Sequence, residues 1–129
     1  MAKILVVDDD PDIRYALSLC LRKEGYEVQT AANRAEGMAA LASGSPDLLV
    51  LDVMMELPDD GIAMAQELRR TGVTLPIVML TSVGKVTGME FDKDSDLVPV
   101  DAFFEKPVRP EVLLRRIEEL LQPAKQRGA

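Results

Sequence analysis

Residues 4–10 read "ILVVDDD", a stretch in which four branched apolar residues run directly into three consecutive aspartates. A continuous apolar run of this kind is typical of a strand that is buried on both faces of a parallel sheet. Two ionised carboxylates about 4 Å apart repel each other by roughly 1 kcal/mol in water, and by more in a partly buried site. We therefore expect a cation to lie opposite the aspartates and to offset this repulsion.

Composition limits the class of protein. The chain has 129 residues, of which 47% are hydrophobic, and this suits one domain with a single core. A single cysteine, Cys20, excludes an internal disulfide and a multi-cysteine zinc site, and no apolar run is long enough to span a membrane. With no histidine, any phosphohistidine chemistry needs another protein. The single cysteine and the lack of a long apolar run favour a cytoplasmic protein. The net charge of −7 opposes binding to nucleic acid and to anionic membranes, so we expect a cation as ligand.

Short apolar runs alternate along the chain with segments of helical period. This alternation predicts an α/β protein with a doubly wound parallel sheet of five strands, covered by helices on both faces. The predicted strands are Lys3–Val7, Tyr26–Ala31, Asp47–Leu51, Pro76–Leu80 and Val100–Glu105.

Helix signals follow four of these strands. The first helix follows an Asp10 cap, and its predicted buried stripe comprises Ile13, Ala16, Leu17, Cys20 and Leu21. A second helix is predicted from Arg34 to Ala42, with Asn33 and Glu36 as a capping box. A third follows Asp59 and Asp60, and a last runs from Pro110 to Leu121. Between Thr81 and Val100 no stable apolar stripe emerges, so we expect a shortened or irregular fourth helix and a long loop there.

Polar residues stand where the predicted strands end. The carboxyl ends of parallel strands form the ligand crevice of an open sheet, so these residues should share one rim. Three carboxylates at that rim suit Mg²⁺, and a hydroxyl with a lysine suits a transferring phosphoryl group. The residues are Asp8, Asp9, Asp52, Thr81 and Lys106.

Four motifs at these strand ends resemble those of the receiver domain of bacterial two-component response regulators. They are "VVDDD" (6–10), "LLVLDVMM" (48–55), "VMLTS" (78–82) and "FFEKP" (103–107). The resemblance covers about Lys3 to Leu121, so we expect a stand-alone receiver domain over 1–121 and a short tail over 122–129. It implies a flavodoxin-like fold with strand order 2-1-3-4-5.

The resemblance also implies a role for each matching residue. Asp52 matches the phosphoacceptor, and Asp8 and Asp9 match the acidic pair that holds Mg²⁺. The backbone carbonyl of Met54 would be a further metal ligand. Thr81 matches the switch hydroxyl, and Lys106 matches the lysine that contacts the phosphate. Phe103 falls where the family has an aromatic residue that turns inward on activation, and Lys106–Pro107 is the peptide bond that the family keeps cis.

The resemblance implies a signalling switch and not an enzyme, because its phosphoryl chemistry is directed at itself. The phosphodonor would be a sensor histidine kinase or a histidine phosphotransfer protein. The output would be a downstream protein partner or a homodimer formed on activation, without direct contact to nucleic acid or membrane.

The chain departs from the family pattern in two regions. Glu56 stands where the family usually has proline, and Gly61 comes one residue late. The stretch from Thr81 to Lys106 is a few residues longer than usual, so the helix that normally precedes the last strand cannot be carried over to the unusual segment Ser82–Pro99. Two alternatives therefore stay open: a constitutive interaction module with a receiver fold, and a small aspartyl phosphohydrolase. The second class usually has an acid two residues after its nucleophile, where this chain has Met54.

Overall fold

The computed structural model describes residues 2–52, 60–82, 100–106 and 109–121 of the chain, and these form five strands and four helices. The strands are β1 (Lys3–Val7), β2 (Glu27–Ala31), β3 (Leu48–Asp52), β4 (Ile77–Ser82) and β5 (Ala102–Lys106). The helices are α1 (Pro11–Lys23), α2 (Arg34–Gly44), α3 (Asp60–Arg70) and α4 (Pro110–Leu121). Each predicted strand is present, and its bounds differ from the prediction by at most two residues.

The five strands form one parallel sheet in the order β2-β1-β3-β4-β5, which confirms the predicted topology. The chain starts in β1, moves to one edge with β2, and returns past β1 to reach β3. This reversal beside β1 opens a crevice at the carboxyl ends of β1 and β3, where open parallel sheets bind their ligands.

Side chains of the strands alternate between two hydrophobic cores, one on each face of the sheet. On one face Leu5 and Val7 of β1 pack with buried residues of α2 and α3. On the other face Ile4 and Val6 pack with buried residues of α1 and α4. Because successive side chains of a strand point to opposite faces, a continuous apolar run supplies both cores, and the doubly wound arrangement is confirmed.

Helix α1 begins as predicted, and its buried face differs from the predicted stripe only in part. The Asp10 carboxylate caps it by accepting a hydrogen bond from the Asp12 N–H. Leu17 and Leu21 are buried, whereas Ala16 is exposed, so the prediction for Ala16 is wrong; Cys20 is only partly buried. Ser18 is buried instead.

Two arginine side chains on the same side of α1 as Ser18 bind backbone carbonyl oxygens of neighbouring segments. Arg14 Nη1 donates to the Asp8 carbonyl oxygen at 2.7 Å, and Arg22 Nη2 donates to the Val28 carbonyl oxygen at 3.2 Å. Residues 14, 18 and 22 are spaced four apart and therefore lie along one side of a helix. These contacts tie the Ser18 side of α1 to β2 and to the residue after β1, in agreement with the burial of Ser18 and the exposure of Ala16.

Helix α2 packs closely on the sheet. Asn33 caps it as predicted, accepting from the Glu36 N–H at 2.8 Å, but the Glu36 carboxylate accepts from the Ala32 N–H and not from Asn33. Gly37 is buried, and a methyl group on its Cα would lie 3.0 Å from Val7 Cγ2 and 2.9 Å from Met64 Cε. The absence of a side chain at Gly37 therefore permits the close approach of α2 to β1.

Asp101 joins four elements at the amino-terminal edge of the sheet. Its carboxylate accepts from the Ile77 N–H at 2.8 Å and from Arg69 Nη2 at 3.0 Å, which links β4 and α3. Its carbonyl oxygen accepts from Arg116 Nη2 of α4 at 3.2 Å. The residue thus fixes the start of β5 on the side of the sheet opposite to the crevice.

Several predictions fall outside the described residues. They concern the irregular helix and loop over residues 83–99, Met54, the peptide bond to Pro107, and the tail over 122–129. Among the residues that the structure describes, no helix combines the length and the apolar character needed to cross a bilayer.

Candidate functional site

Two carboxylates meet where neighbouring strands end. Asp52 is the last residue of β3, and Asp8 directly follows β1. The parallel register aligns Val7 with Leu51, so the next residue on each strand, Asp8 and Asp52, lies at the same level of the sheet. The Asp8 N–H donates to the Ala31 carbonyl oxygen of β2 at 3.1 Å, which continues the sheet to this point.

The aspartates Asp8, Asp9 and Asp52 form one carboxylate cluster. One oxygen of each can be chosen so that all three lie within 4.8 Å of one another. Asp8 is 1% exposed and Asp52 is 4% exposed, whereas Asp9 is exposed to solvent. Burying like charges so close together is costly unless a cation offsets them. Hard carboxylate oxygens with an open side toward solvent suit Mg²⁺, which keeps several water ligands.

A network of local hydrogen bonds shapes the loop between β1 and α1. The Asp10 N–H donates to Asp8 Oδ1 at 2.9 Å, and the Asp12 N–H donates to Asp10 Oδ1 at 2.9 Å. Asp10 therefore serves as the helix cap, and Asp9 is the exposed member of the carboxylate cluster. This division of roles among the three consecutive aspartates agrees with the interpretation of Asp10 as a cap.

The backbones of Thr81 and Lys106 reach the same edge of the sheet. Asp52 is aligned with Leu80, so Thr81 lies one residue beyond Asp52 on the neighbouring strand. Lys106 ends β5 and is aligned with Ser82. Phe103 lies further back in β5, aligned with Met79. The fold thus brings the strand ends together in the predicted order.

One residue of this region was missed by the sequence reasoning. The side chain of Arg14, in the second turn of α1, contacts the backbone of Asp8 at 2.7 Å. In the sequence, Arg14 is recognisable only as a basic residue that follows three aspartates, and a basic residue in such a place usually lies on an exposed helix face. Its long side chain could reach several partners, so the sequence alone does not single out this contact.

A groove of about 280 Å³ lies between the end of α1 and α4. Half of its lining residues are acidic, and the lining comprises Glu24, Tyr26, Glu111, Leu114, Arg115 and Glu118. Burial raises the pKa of Tyr26 above its usual 10.0, and the carboxylates of Glu118 and Glu24 raise it further.

The chain is similar to proteins of one signalling family. Residues 4–118 match the family model described as response regulator receiver domain. The response regulator MprA of Mycobacterium bovis is 39% identical over 127 residues, which cover 98% of this chain and 54% of that protein. The probable transcriptional regulator ycf27 of Cyanophora paradoxa is 42% identical over 124 residues, which cover 93% of this chain and 48% of that protein. The chain thus spans about half the length of these curated relatives.

Solved structures give the same picture. The Vibrio cholerae chemotaxis protein CheY4 has a TM-score of 0.81 and 32% identity, covering 94% of this chain and 99% of that one. The response regulator TrrA of Thermotoga maritima, solved in complex with Mg(2+)-BeF, has a TM-score of 0.79 and 34% identity, covering 94% of this chain and 100% of that one. The fold predicted from the sequence, a flavodoxin-like receiver fold, is therefore confirmed.

Proposed function

Since this chain belongs to the family of response regulator receiver domains, we propose that it is a phosphorylation-dependent switch in which Asp52 accepts a phosphoryl group. Membership of the family places the chain in two-component signal transduction. The observation that carries the proposal is the convergence of the Asp8, Asp9 and Asp52 carboxylates within 4.8 Å at the ends of β1 and β3. Such an arrangement is unfavourable for stability alone, and it suits a divalent cation and a phosphoryl group.

The carboxylates present fit the Mg²⁺ that members of this family bind. Asp8, Asp9 and Asp52 would hold the ion, together with the Met54 carbonyl that the family resemblance implies. When bound, Mg²⁺ would supply positive charge to the phosphoryl oxygens of an incoming phosphodonor.

Phosphoryl transfer then needs a nucleophile and a leaving group. A carboxylate oxygen of Asp52 forms a bond to phosphorus while the phosphorus–nitrogen bond of a phosphohistidine breaks, and the imidazole leaves with that electron pair. The chain has no histidine, so the donor belongs to a partner, either a sensor histidine kinase or a histidine phosphotransfer protein. Hydrolysis of the resulting acyl phosphate returns Asp52 to its carboxylate form and resets the switch.

The phosphoryl group carries a charge of about −1.5 to −2. Because it replaces the single negative charge of the Asp52 carboxylate, the net change at the end of β3 is about −0.5 to −1. Thr81 would donate its hydroxyl to the phosphoryl group, Lys106 would contact it through its ammonium group, and Phe103 would change its packing. A few kcal/mol of differential contact is enough to invert the populations of two conformations. Phosphorylation would thereby expose a different surface to a downstream partner.

The proposed reactions, phosphorylation and dephosphorylation of Asp52, change only this protein itself. This agrees with the family, whose members are generally not enzymes. Residues 1–121 would form the receiver domain, in the cytoplasm, with 122–129 as a tail. Activation would act through a downstream protein or through a homodimer. Because the matched relatives are about twice as long and one is called a probable transcriptional regulator, the predicted absence of nucleic acid binding concerns the receiver itself and stays a prediction.

Intact mass measurement after incubation with acetyl phosphate and Mg²⁺ tests the proposal. Wild-type protein should gain one phosphate, and no adduct should form when EDTA is present from the start of the incubation. Asp52→Ala should gain none, whereas Asp12→Asn, a control on the exposed start of α1, should gain one. Absence of the adduct from wild type, or its persistence in Asp52→Ala, would refute the assignment. Turnover of an external phosphate ester would instead favour the phosphohydrolase alternative.

A further inference from the structure

The backbone on both sides of Asp9 is bonded to position 14 of α1. The N–H of residue 14 donates to the Asp10 carbonyl oxygen at 3.1 Å, a helix bond that any residue other than proline could make, whereas the Arg14 side chain donates from Nη1 to the Asp8 carbonyl oxygen at 2.7 Å. We propose that Arg14 is a positioning residue that keeps the Asp9 carboxylate in the metal pocket. This inference rests on the proposed function, because it assigns Arg14 a task at the same site.

Asp9 is the member of the carboxylate cluster that most needs such support. Asp8 and Asp52 are buried at the strand ends, where the sheet fixes their backbones, whereas Asp9 is exposed in the loop. Before a cation binds, repulsion from the other two carboxylates favours conformations in which Asp9 turns away into solvent. The loop backbone must therefore oppose this movement if the pocket is to be ready for Mg²⁺.

The Arg14 side chain acts on the peptide bond that leads into Asp9. A peptide group is planar, so fixing the direction of the Asp8 carbonyl also fixes the direction of the Asp9 N–H. The Asp8 N–H is already bound to the Ala31 carbonyl oxygen, and the Asp10 N–H is bound to Asp8 Oδ1. With the guanidinium on the Asp8 carbonyl, the backbone is anchored immediately before and after Asp9.

An arginine suits this task better than a lysine. The guanidinium is planar, carries five N–H donors and remains charged, so its bond to a carbonyl is directional and charge-assisted. A lysine ammonium keeps the charge but is a flexible point donor with a shorter reach. Arg14→Lys therefore separates the directional contact from the general electrostatic effect of a cation near the site.

Arg22 offers a matched control on the same helix. Its Nη2 donates to the Val28 carbonyl oxygen of β2 at 3.2 Å, so it also ties α1 to a strand backbone. Val28 pairs with Ile4, four residues before Asp8, and so this contact lies away from the carboxylate cluster. Arg22→Lys repeats the same chemical change without touching the loop that carries Asp9.

Calorimetric titration with Mg²⁺, together with urea unfolding of the same samples, tests the inference. Arg14→Lys should weaken Mg²⁺ binding by roughly tenfold, the lower end of the cost of losing a partner that orients a ligand. Arg22→Lys should bind Mg²⁺ as wild type does. At saturating Mg²⁺, the maximal rate of phosphorylation by acetyl phosphate should be unchanged in Arg14→Lys, since the metal then holds Asp9 in place.

Two results would overturn the inference. One is an Mg²⁺ affinity of Arg14→Lys equal to that of wild type. The other is tighter Mg²⁺ binding by Arg14→Gln than by wild type. Loss of a nearby positive charge would by itself tighten Mg²⁺ binding, whereas loss of a positioning residue should weaken it. A failure of the proposed function is distinguishable, because it would appear as absent Mg²⁺ binding or absent phosphorylation in the wild type itself.

Discussion

Replacing Asp9 with asparagine should stabilise the metal-free protein and remove much of its response to Mg²⁺. The substitution keeps the size of the side chain but removes repulsion with Asp8 and Asp52, whose oxygens lie within 4.8 Å. At that separation one pair of charges repels by about 0.9 kcal/mol in water and by about 3.5 kcal/mol at an effective dielectric constant of about 20. Because Asp9 is exposed, the lower value applies, and two pairs give a stabilisation of about 1–2 kcal/mol.

Urea unfolding followed by circular dichroism, in EDTA and in Mg²⁺, measures both parts of this prediction. At about 0.1 M ionic strength the screening length is near 10 Å, so the repulsion persists. In wild type, Mg²⁺ at ten times its dissociation constant should raise the free energy of unfolding by about 1.4 kcal/mol. The Asp9→Asn variant should start from a higher stability in EDTA and gain much less.

Asp12→Asn is the control for this experiment. It removes one negative charge from the first turn of α1, outside the carboxylate cluster, where an acidic residue interacts favourably with the helix N-terminus. It should leave the metal-free stability equal or slightly lower and should keep the full response to Mg²⁺. If Asp9→Asn were no more stable than wild type in EDTA, or gained as much from Mg²⁺, the account of opposed charges in the pocket would be wrong.

Three other predictions concern packing and pH. Asp101→Ala removes the acceptor of the Ile77 N–H and should lower the free energy of unfolding by about 1–3 kcal/mol in urea titrations, whereas Asp101→Asn, which keeps an acceptor oxygen, should lower it less. Gly37→Ala should destabilise the protein by roughly 1 kcal/mol, because overcrowding against Val7 outweighs the gain in helix propensity, and an unchanged or higher stability would contradict the close packing of α2. The raised pKa of Tyr26 means that its contribution to stability is complete below about pH 10 and is lost as pH rises through the folded-state value. Alkaline unfolding curves of Tyr26→Phe should lack this loss, and curves identical to wild type would argue against it.

Much of the fold and the backbone frame of the candidate site could be predicted from local patterns. Apolar runs such as residues 4–7 and 48–51 indicate buried strands, and an aspartate follows each run directly. Since parallel strands present their carboxyl ends at one edge, Asp8 and Asp52 had to meet once the strand order was right. The strand order itself was predicted from the family resemblance, because the spacing of apolar residues does not determine which strands are neighbours.

Other features could not be predicted because they depend on long side chains and on tertiary contacts. The buried face of α1 includes Ser18, and the pattern of apolar residues gives no sign that this polar residue is buried. Arg14 and Asp101 each bind backbone groups that are distant in the chain or in another element. From the sequence alone, a charged residue of this kind is assigned to the exposed surface, and its hydrogen-bond partner is known only from the three-dimensional structure.

Identification of the residue that carries the phosphoryl group tests the proposed switch most directly. After reaction with acetyl phosphate and Mg²⁺, borohydride reduction converts an aspartyl phosphate to homoserine, which tandem mass spectrometry locates in the peptide sequence. Homoserine is expected at position 52 alone, and none when Mg²⁺ is omitted. Homoserine at position 8 or 9, or its absence from a phosphorylated sample, would contradict the assignment of Asp52 as the phosphoacceptor.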